Sequence, residues 1–194
     1  MPGLGNSSLG ELNLITSGSV VVACALIALL ALAAPRRPRL PQLCFLLLAS
    51  FLILNKVWSP QYVIWLAPLV VLARPRLGAY VLWQAAEVGY FFAIWAYLIT
   101  IITGHDSAGG IGTGLYFAAV LARFAVVVLL AALVASDILR PQADVVRRDG
   151  DDDPAGGVLS GAPDRFALRL GLRPGLRPEA ARQDGNAAGL RKVD

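Results

Sequence analysis

The segment Asn55-Lys56-Val57-Trp58-Ser59-Pro60-Gln61-Tyr62 is the densest group of polar side chains outside the ends of the chain. Lys56 supplies a compact positive charge suited to a phosphate or a lipid headgroup. Asn55, Ser59, Gln61 and Tyr62 add donors and acceptors suited to sugar hydroxyls. Trp58 and Trp65 offer flat faces for a sugar ring or for lipid. The same residues also suit an interfacial belt, because Trp and Tyr gather at the membrane boundary and lysine snorkels there. Residue type alone leaves both readings open.

Glu87 and Arg123 are charges inside apolar runs. Each costs about 2.5–3.5 kcal/mol at the centre of a span on insertion scales, so each is expected to face protein or water. Tyr80, Gln84, Glu87 and Phe91 recur at three- or four-residue spacing and are predicted to share one helix face. Glu87 and Arg123 sit on neighbouring antiparallel runs. At 1.5 Å rise per residue their depths differ by about 12 Å, which argues against direct contact. Both stand as cavity-lining candidates, with a structural pair as the alternative. His105 and Asp106 are further cavity-lining candidates, in a glycine-rich loop where a solvated role is the simpler reading. Gly110-Ile111-Gly112-Thr113-Gly114 has no preceding strand and no Lys-Ser/Thr ending, so a nucleotide loop is rejected. One histidine and two cysteines leave no metal-ligand pattern, and no metal site is expected. Cys24 and Cys44 fall in apolar runs and read as small buried hydrophobes.

These residues need a scaffold, and composition names it. Hydrophobic residues make up 57% of the chain, against about 45–50% in soluble domains. In a chain of 194 residues that excess must face lipid. The apolar runs are Ile15–Ala34, Leu40–Leu54, Val63–Ala73, Leu77–Thr103 and Leu115–Ser136. The expected fold is all-α: a polytopic transmembrane helical bundle of about five spans, two of them short, with a disordered C-terminal tail. Fifteen helical residues reach only about 22 Å, against about 30 Å of hydrocarbon. The loop at Asn55–Tyr62 is therefore expected to dip below the outer surface, beside a water-filled cavity or other protein. A thin local bilayer with ragged helix ends is the alternative.

Arg36, Arg37, Arg39, Arg74 and Arg76 lie between runs and read as a topology signal. The net charge of +4 therefore does not point to nucleic acid. Placing these arginines in the cytoplasm puts residues 1–14 and the loops at 55–62 and 104–114 outside. The plasma-membrane domain then covers residues 15–136, and residues 137–194 form a cytoplasmic tail. That tail is rich in Gly, Pro, Arg and Asp and poor in aromatics, which predicts disorder. Arg165, Arg169, Arg173 and Arg177 recur every four residues, but Gly171, Pro174, Gly175 and Pro178 argue against a basic surface helix.

The string Asn55-Lys56-Val57-Trp58-Ser59-Pro60-Gln61-Tyr62-Val63-Ile64-Trp65-Leu66-Ala67-Pro68-Leu69 resembles the N-K-V-x-S-P-Q-Y-x-x-W-x-x-P-L segment found late in multi-spanning GT-C glycosyltransferases. It is most similar to bacterial glycosyltransferase family 87, and it is related to segments of dolichyl-phosphate-mannose dependent mannosyltransferases. The resemblance implies transfer of a hexose, usually mannose, from a polyprenyl-phosphate sugar donor to a glycolipid or glycan acceptor at the outer face of the membrane. It implies Lys56 at the donor phosphate, and Asn55, Ser59, Gln61 and Tyr62 around the sugar or lipid phosphate. No cofactor is implied beyond the lipid-linked donor. In that family an outer carboxylate early in the chain acts as general base on the acceptor. Here Glu11 and Asp106 are the outer carboxylates, and neither is assigned that role.

The chain is accordingly expected to be the C-terminal part of such a transferase, with a missing N-terminal half or a partner subunit supplying the base. Two other readings stand beside it. One is a non-catalytic membrane subunit or remnant that packs against a partner. The other is a small transporter, suggested by the charges at Glu87 and Arg123.

Overall fold

The five apolar runs become five helices in the computed structural model, which describes residues 6–55, 59–103, 109–148, 150–162 and 164. They are α1 (Asn6–Ala33), α2 (Leu40–Leu54), α3 (Val63–Ala73), α4 (Leu77–Thr103) and α5 (Thr113–Leu139). No strand occurs among the described residues. Prolines set several of the breaks. Pro35 and Pro38 follow α1, Pro41 lies in the first turn of α2, Pro60 opens a short 3-10 turn before α3, and Pro75 separates α3 from α4. Proline lacks an amide hydrogen and restricts the residue before it, so it tolerates helix starts and interrupts helix interiors.

Helices α1, α4 and α5 contain segments long and apolar enough to cross a membrane, while Leu40–Leu54 and Pro60–Ala73 are shorter apolar helices. The two short ones form a hairpin whose feet are tied together. Arg39, just before α2, donates to the carbonyls of Leu72 (2.9 Å) and Ala73 (2.8 Å) at the end of α3. The hydrophobic core lies in the half of the bundle nearest those feet. Phe45, Leu46, Ala49 and Leu52 of α2 meet Leu66, Val70 and Ala73 of α3, together with Trp83 of α4 and Val127, Leu130, Val134 and Ile138 of α5. The spacing of three or four residues on α2 and α5 puts these side chains on one stripe. The apolar side chains of α1 are largely exposed, as a lipid-facing helix requires. Cys24 belongs to that exposed surface and Cys44 is half-buried, so neither is the buried hydrophobe expected from its apolar neighbours. Too little of the bundle covers α1 to bury Cys24.

Expected tail and observed structure differ from Asp137 onward. The boundary after Ser136 falls inside α5, which continues to Leu139. Beyond it a strap of short turns, including Pro141–Ala143, α6 (Val145–Arg148) and Gly157–Leu159, folds back over the arginine turns. Its aspartates are what hold it. Asp144 accepts from Arg39 Nε (2.7 Å) and Nη2 (3.0 Å), with both side chains almost wholly buried. Gln42 donates to the same carboxylate at 3.1 Å. Asp137 pairs with Arg74, and Arg76 donates to the Ala143 carbonyl at 2.7 Å. Asp153 accepts from the Leu40 amide at 2.8 Å, satisfying one of the orphan donors at the start of α2. Gly156 leaves room for it, since a Cβ there would come within 2.7 Å of Asp153 Oδ2 and displace that side chain. Asp152 meets Arg36, Arg37 and Arg147. Burial pushes the Asp152 carboxyl up, but the Gly161 amide and the guanidinium groups of Arg147 and Arg37 outweigh it and hold it below its ordinary value. Burial, then repulsion from Arg36, pushes Arg147 down. The arginines read as a topology signal are thus also the anchor of residues 140–164. Residues 165–194, with the four-residue arginine repeat, lie outside the described residues.

Candidate functional site

The register of the bundle decides where the hairpin tip lies. Arg74 follows α3 directly and pairs with Asp137 on α5, so the hairpin feet are level with that end of α5. From Asp137 to Arg123 is about 21 Å along the helix at 1.5 Å per residue. The fifteen residues of α2 span about 22 Å. The tip should therefore reach the level of Arg123, and it does: Arg123 Nη2 donates to the Ser59 carbonyl at 3.4 Å. Helix α5 continues for another ten residues to Thr113, about 15 Å past the tip. Helix α1 overtops the tip similarly. Thr16 and Ser17 stand beside Asn55, and α1 extends ten residues further, to Asn6. The described residues at the tip, Asn55 and Ser59, therefore lie short of the far ends of α1 and α5.

Arg123 is the hub at this level. Its Nε lies 2.8 Å from Glu87 Oε2, and its guanidinium sits 4.4 Å from the centroid of the Tyr90 ring. Trp83 Nε1 donates to the other Glu87 oxygen at 3.2 Å. This direct pair corrects the expected 12 Å offset. That estimate levelled the ends of the two apolar runs, whereas the Arg74–Asp137 pair sets the register. Glu87 lies thirteen residues after Arg74 and Arg123 fourteen before Asp137, so the two arrive at nearly equal depth. Both side chains are buried in the pair, with Glu87 5% and Arg123 2% exposed, and neither is the open cavity wall expected of it. The polar face of α4 is also displaced from the one predicted. Trp83, Glu87 and Tyr90 point inward, Tyr80 and Gln84 flank them with a mutual hydrogen bond of 2.8 Å, and Phe91 faces outward.

Around the tip, Asn55 ends α2 and lines a groove of about 270 Å³ with Thr16, Ser17, Val20 and Phe51. Ser59 and Tyr62 are half-buried and Gln61 is exposed. Tyr62 packs on Trp65 at 5.0 Å between ring centroids. Lys56, His105 and Asp106, together with Trp58, lie outside the described residues. The structure thus brings Asn55, Ser59, Glu87 and Arg123 into one region. It adds Thr16, Ser17, Tyr90 and Trp83, which the sequence reading did not single out. Two adjacent hydroxyls within the apolar run of α1 were the available signal for the first two.

Higher up, α4 and α5 are joined by the stacked rings of Tyr97 and Tyr116 (4.5 Å) and by a hydrogen bond from Thr100 to the Ile111 carbonyl (2.9 Å). Both contacts lie at the end of the bundle away from the arginine turns. The groove beside Asn55 offers hydroxyl and amide groups, and the Arg123 guanidinium, held by the Glu87 carboxylate and the Tyr90 ring, lies at the level of the same hairpin tip. Charged and polar groups within apolar helices are held here by one another rather than left facing lipid. Searches against protein-family models, curated proteins and solved structures find no match for this chain.

Proposed function

We propose that this chain is the C-terminal membrane portion of a polyprenyl-phosphate-sugar dependent hexosyltransferase, with mannose the expected sugar, acting at the outer face of the plasma membrane. The observation that supports this reading best is the 3.4 Å bond from Arg123 to the Ser59 carbonyl. It ties the hairpin tip to mid-helix α5. In this reading the hairpin feet stand at one boundary of the hydrocarbon, and a hairpin of about 22 Å against a core of about 30 Å leaves the tip about 8 Å short of the other. A loop at that depth must be shielded by protein or water, and a lipid phosphate with its sugar could enter there from the bilayer.

In this reading the arginine end faces the cytoplasm, following the excess of basic residues between spans. Lys56 neutralises the donor phosphate and stabilises the charge that develops as the lipid phosphate leaves. Asn55, Ser59, Gln61 and Tyr62 hold sugar hydroxyls, with Thr16 and Ser17 adding hydroxyl partners from α1. Arg123 acts as a positioning residue: it fixes the loop through the Ser59 backbone and is itself fixed by Glu87. The general base is not assigned to a residue of this chain.

The test is transfer of labelled hexose from a polyprenyl-phosphate donor in membranes that contain the active assembly. Lys56→Ala should lower transfer at least about tenfold, which corresponds to about 1.4 kcal/mol in the barrier. A smaller loss with unchanged protein level would remove Lys56 from the phosphate role.

A further inference from the structure

At the arginine end of the bundle, three guanidinium groups converge on the Asp152 carboxylate, and Asp164 flanks them, 3.8 Å from Arg36 Nε and accepting from the Arg37 amide at 2.8 Å. Arg36 Nη2 and Arg147 Nη2 approach Asp152 Oδ1 at 3.3 and 3.4 Å, and Arg37 Nη2 approaches Oδ2 at 2.9 Å. The Gly161 amide donates to the same Oδ2 at 3.1 Å. Four donors share two oxygens, which is close to all that a carboxylate can accept. Another donor remains: Arg37 Nη1 is buried and has no hydrogen-bond partner among the described residues. The cradle offers more donors than its occupant can take. Arg147 is 4% exposed and therefore a fixed wall, whereas Arg36 is 47% exposed and leaves the cradle open to solvent at the end of α1.

A phosphate monoester matches this donor set better than a carboxylate. It presents three terminal oxygens and carries a charge of about −1.5 to −2 near neutral pH. Arginine binds it through two parallel N–H groups, which would engage the Arg37 nitrogen now left over. Arg36 and Arg37 follow directly on the end of the candidate α1 span, which is where a membrane boundary with its lipid phosphates is expected.

We infer that Arg36, Arg37 and Arg147 form a binding site for a phosphate monoester group, and that Asp152 is its internal, displaceable stand-in. An anionic lipid headgroup and free phosphate share this chemistry. Binding exchanges Asp152 for the ligand and releases the part of the strap that hangs on it, while the Arg39–Asp144 and Arg74–Asp137 pairs keep the strap attached to the bundle. The site is independent of the transferase reading and of which face of the membrane it occupies.

Binding is measured on the full purified chain in zwitterionic nanodiscs, using short-chain phosphatidic acid, inorganic phosphate and short-chain phosphatidylcholine as probes. Asp152→Asn should tighten phosphatidic acid binding at least fivefold, because it removes the competing charge. A gain of affinity does not arise from misfolding, so this variant guards the experiment. The double variant Arg37→Gln with Arg147→Gln should weaken binding at least tenfold. Asp151→Asn, at the exposed neighbouring position, should leave binding unchanged. In the wild type, ligand should speed proteolysis between residues 150 and 162. Phosphatidic acid binding well above inorganic phosphate identifies a headgroup as the source, and equal binding identifies free phosphate; either supports the cradle. Equal affinity across wild type, Asp152→Asn and the arginine double variant overturns the inference. So does an equal gain from Asp151→Asn, which would reduce the effect to bulk charge, or equal binding of phosphatidylcholine.

Discussion

Two sets of ion pairs occupy different levels of this bundle, one at its arginine end and one at mid-depth, and they are built differently. At the arginine end, Arg39 and Asp144 share two hydrogen bonds, and each has further partners in Leu72, Ala73 and Gln42. Arg74–Asp137 and the Asp152 cluster reinforce the same junction. At mid-depth, Glu87 and Arg123 form one pair, and the link from Arg123 to the hairpin tip is a 3.4 Å bond. The first region is over-determined and fixes the register of every helix that meets it. The second inherits that register and spends its charge on placing a loop. A mid-span charge pair is poorly suited to being a main source of stability, since a desolvated pair roughly breaks even against apolar packing.

The contrast predicts its own largest break. Asp144→Ala leaves the Arg39 guanidinium buried without its carboxylate and should cost about 3–5 kcal/mol. Reversible unfolding in mixed micelles measures it, and a loss under about 1 kcal/mol would show that the junction is not over-determined in the way described. Next comes Glu87→Leu, which strands Arg123 within the span at about 2.5–3.5 kcal/mol. The double variant Glu87→Leu with Arg123→Leu should recover most of that stability while still lowering transfer activity, because the loop loses its anchor. Recovery of both stability and activity would assign the pair a structural role alone.

Smaller effects sharpen the comparison. Asp153→Ala removes a cap from the Leu40 amide and should cost about 0.5–2 kcal/mol, as N-terminal caps do. Gly156→Ala should do similar damage by pushing Asp153 away from that amide. The smallest effect is that of pH on the strap. The Asp152 carboxyl is held below its ordinary value of 3.8, so its contribution is complete above that value and is lost as pH falls through the lower folded value. The amount should stay under about 1 kcal/mol, because the cluster is partly solvated. Limited proteolysis of residues 150–162 should therefore accelerate below pH 3.8 but not between pH 5 and pH 7.

Much of the helical layout was legible in the sequence, because hydropathy is a local property and the breaks carry prolines and arginines. The short hairpin of α2 and α3 was legible too, since fifteen residues of helix have a fixed length. Register was not. The depth of Glu87 relative to Arg123 depends on Asp137 finding Arg74, a contact between residues 63 positions apart. The strap was missed for a related reason. A composition rich in Gly, Pro, Arg and Asp reads as disorder, whereas Asp137, Asp144, Asp152 and Asp153 are matched to arginine turns and a helix start more than sixty residues earlier. An acidic series placed just beyond the last span was the signal. Thr16 and Ser17 were passed over because two hydroxyls barely change the hydropathy of α1.

The level and direction of the hairpin tip carry the functional account, and thiol accessibility at Ser59 reads both. With Cys24 and Cys44 replaced by alanine, Ser59→Cys should react in intact cells with a small membrane-impermeant reagent and far more slowly with a bulky one. Modification only after the cells are opened, or equal rates for both reagents, would contradict a sunken recess that opens to the exterior.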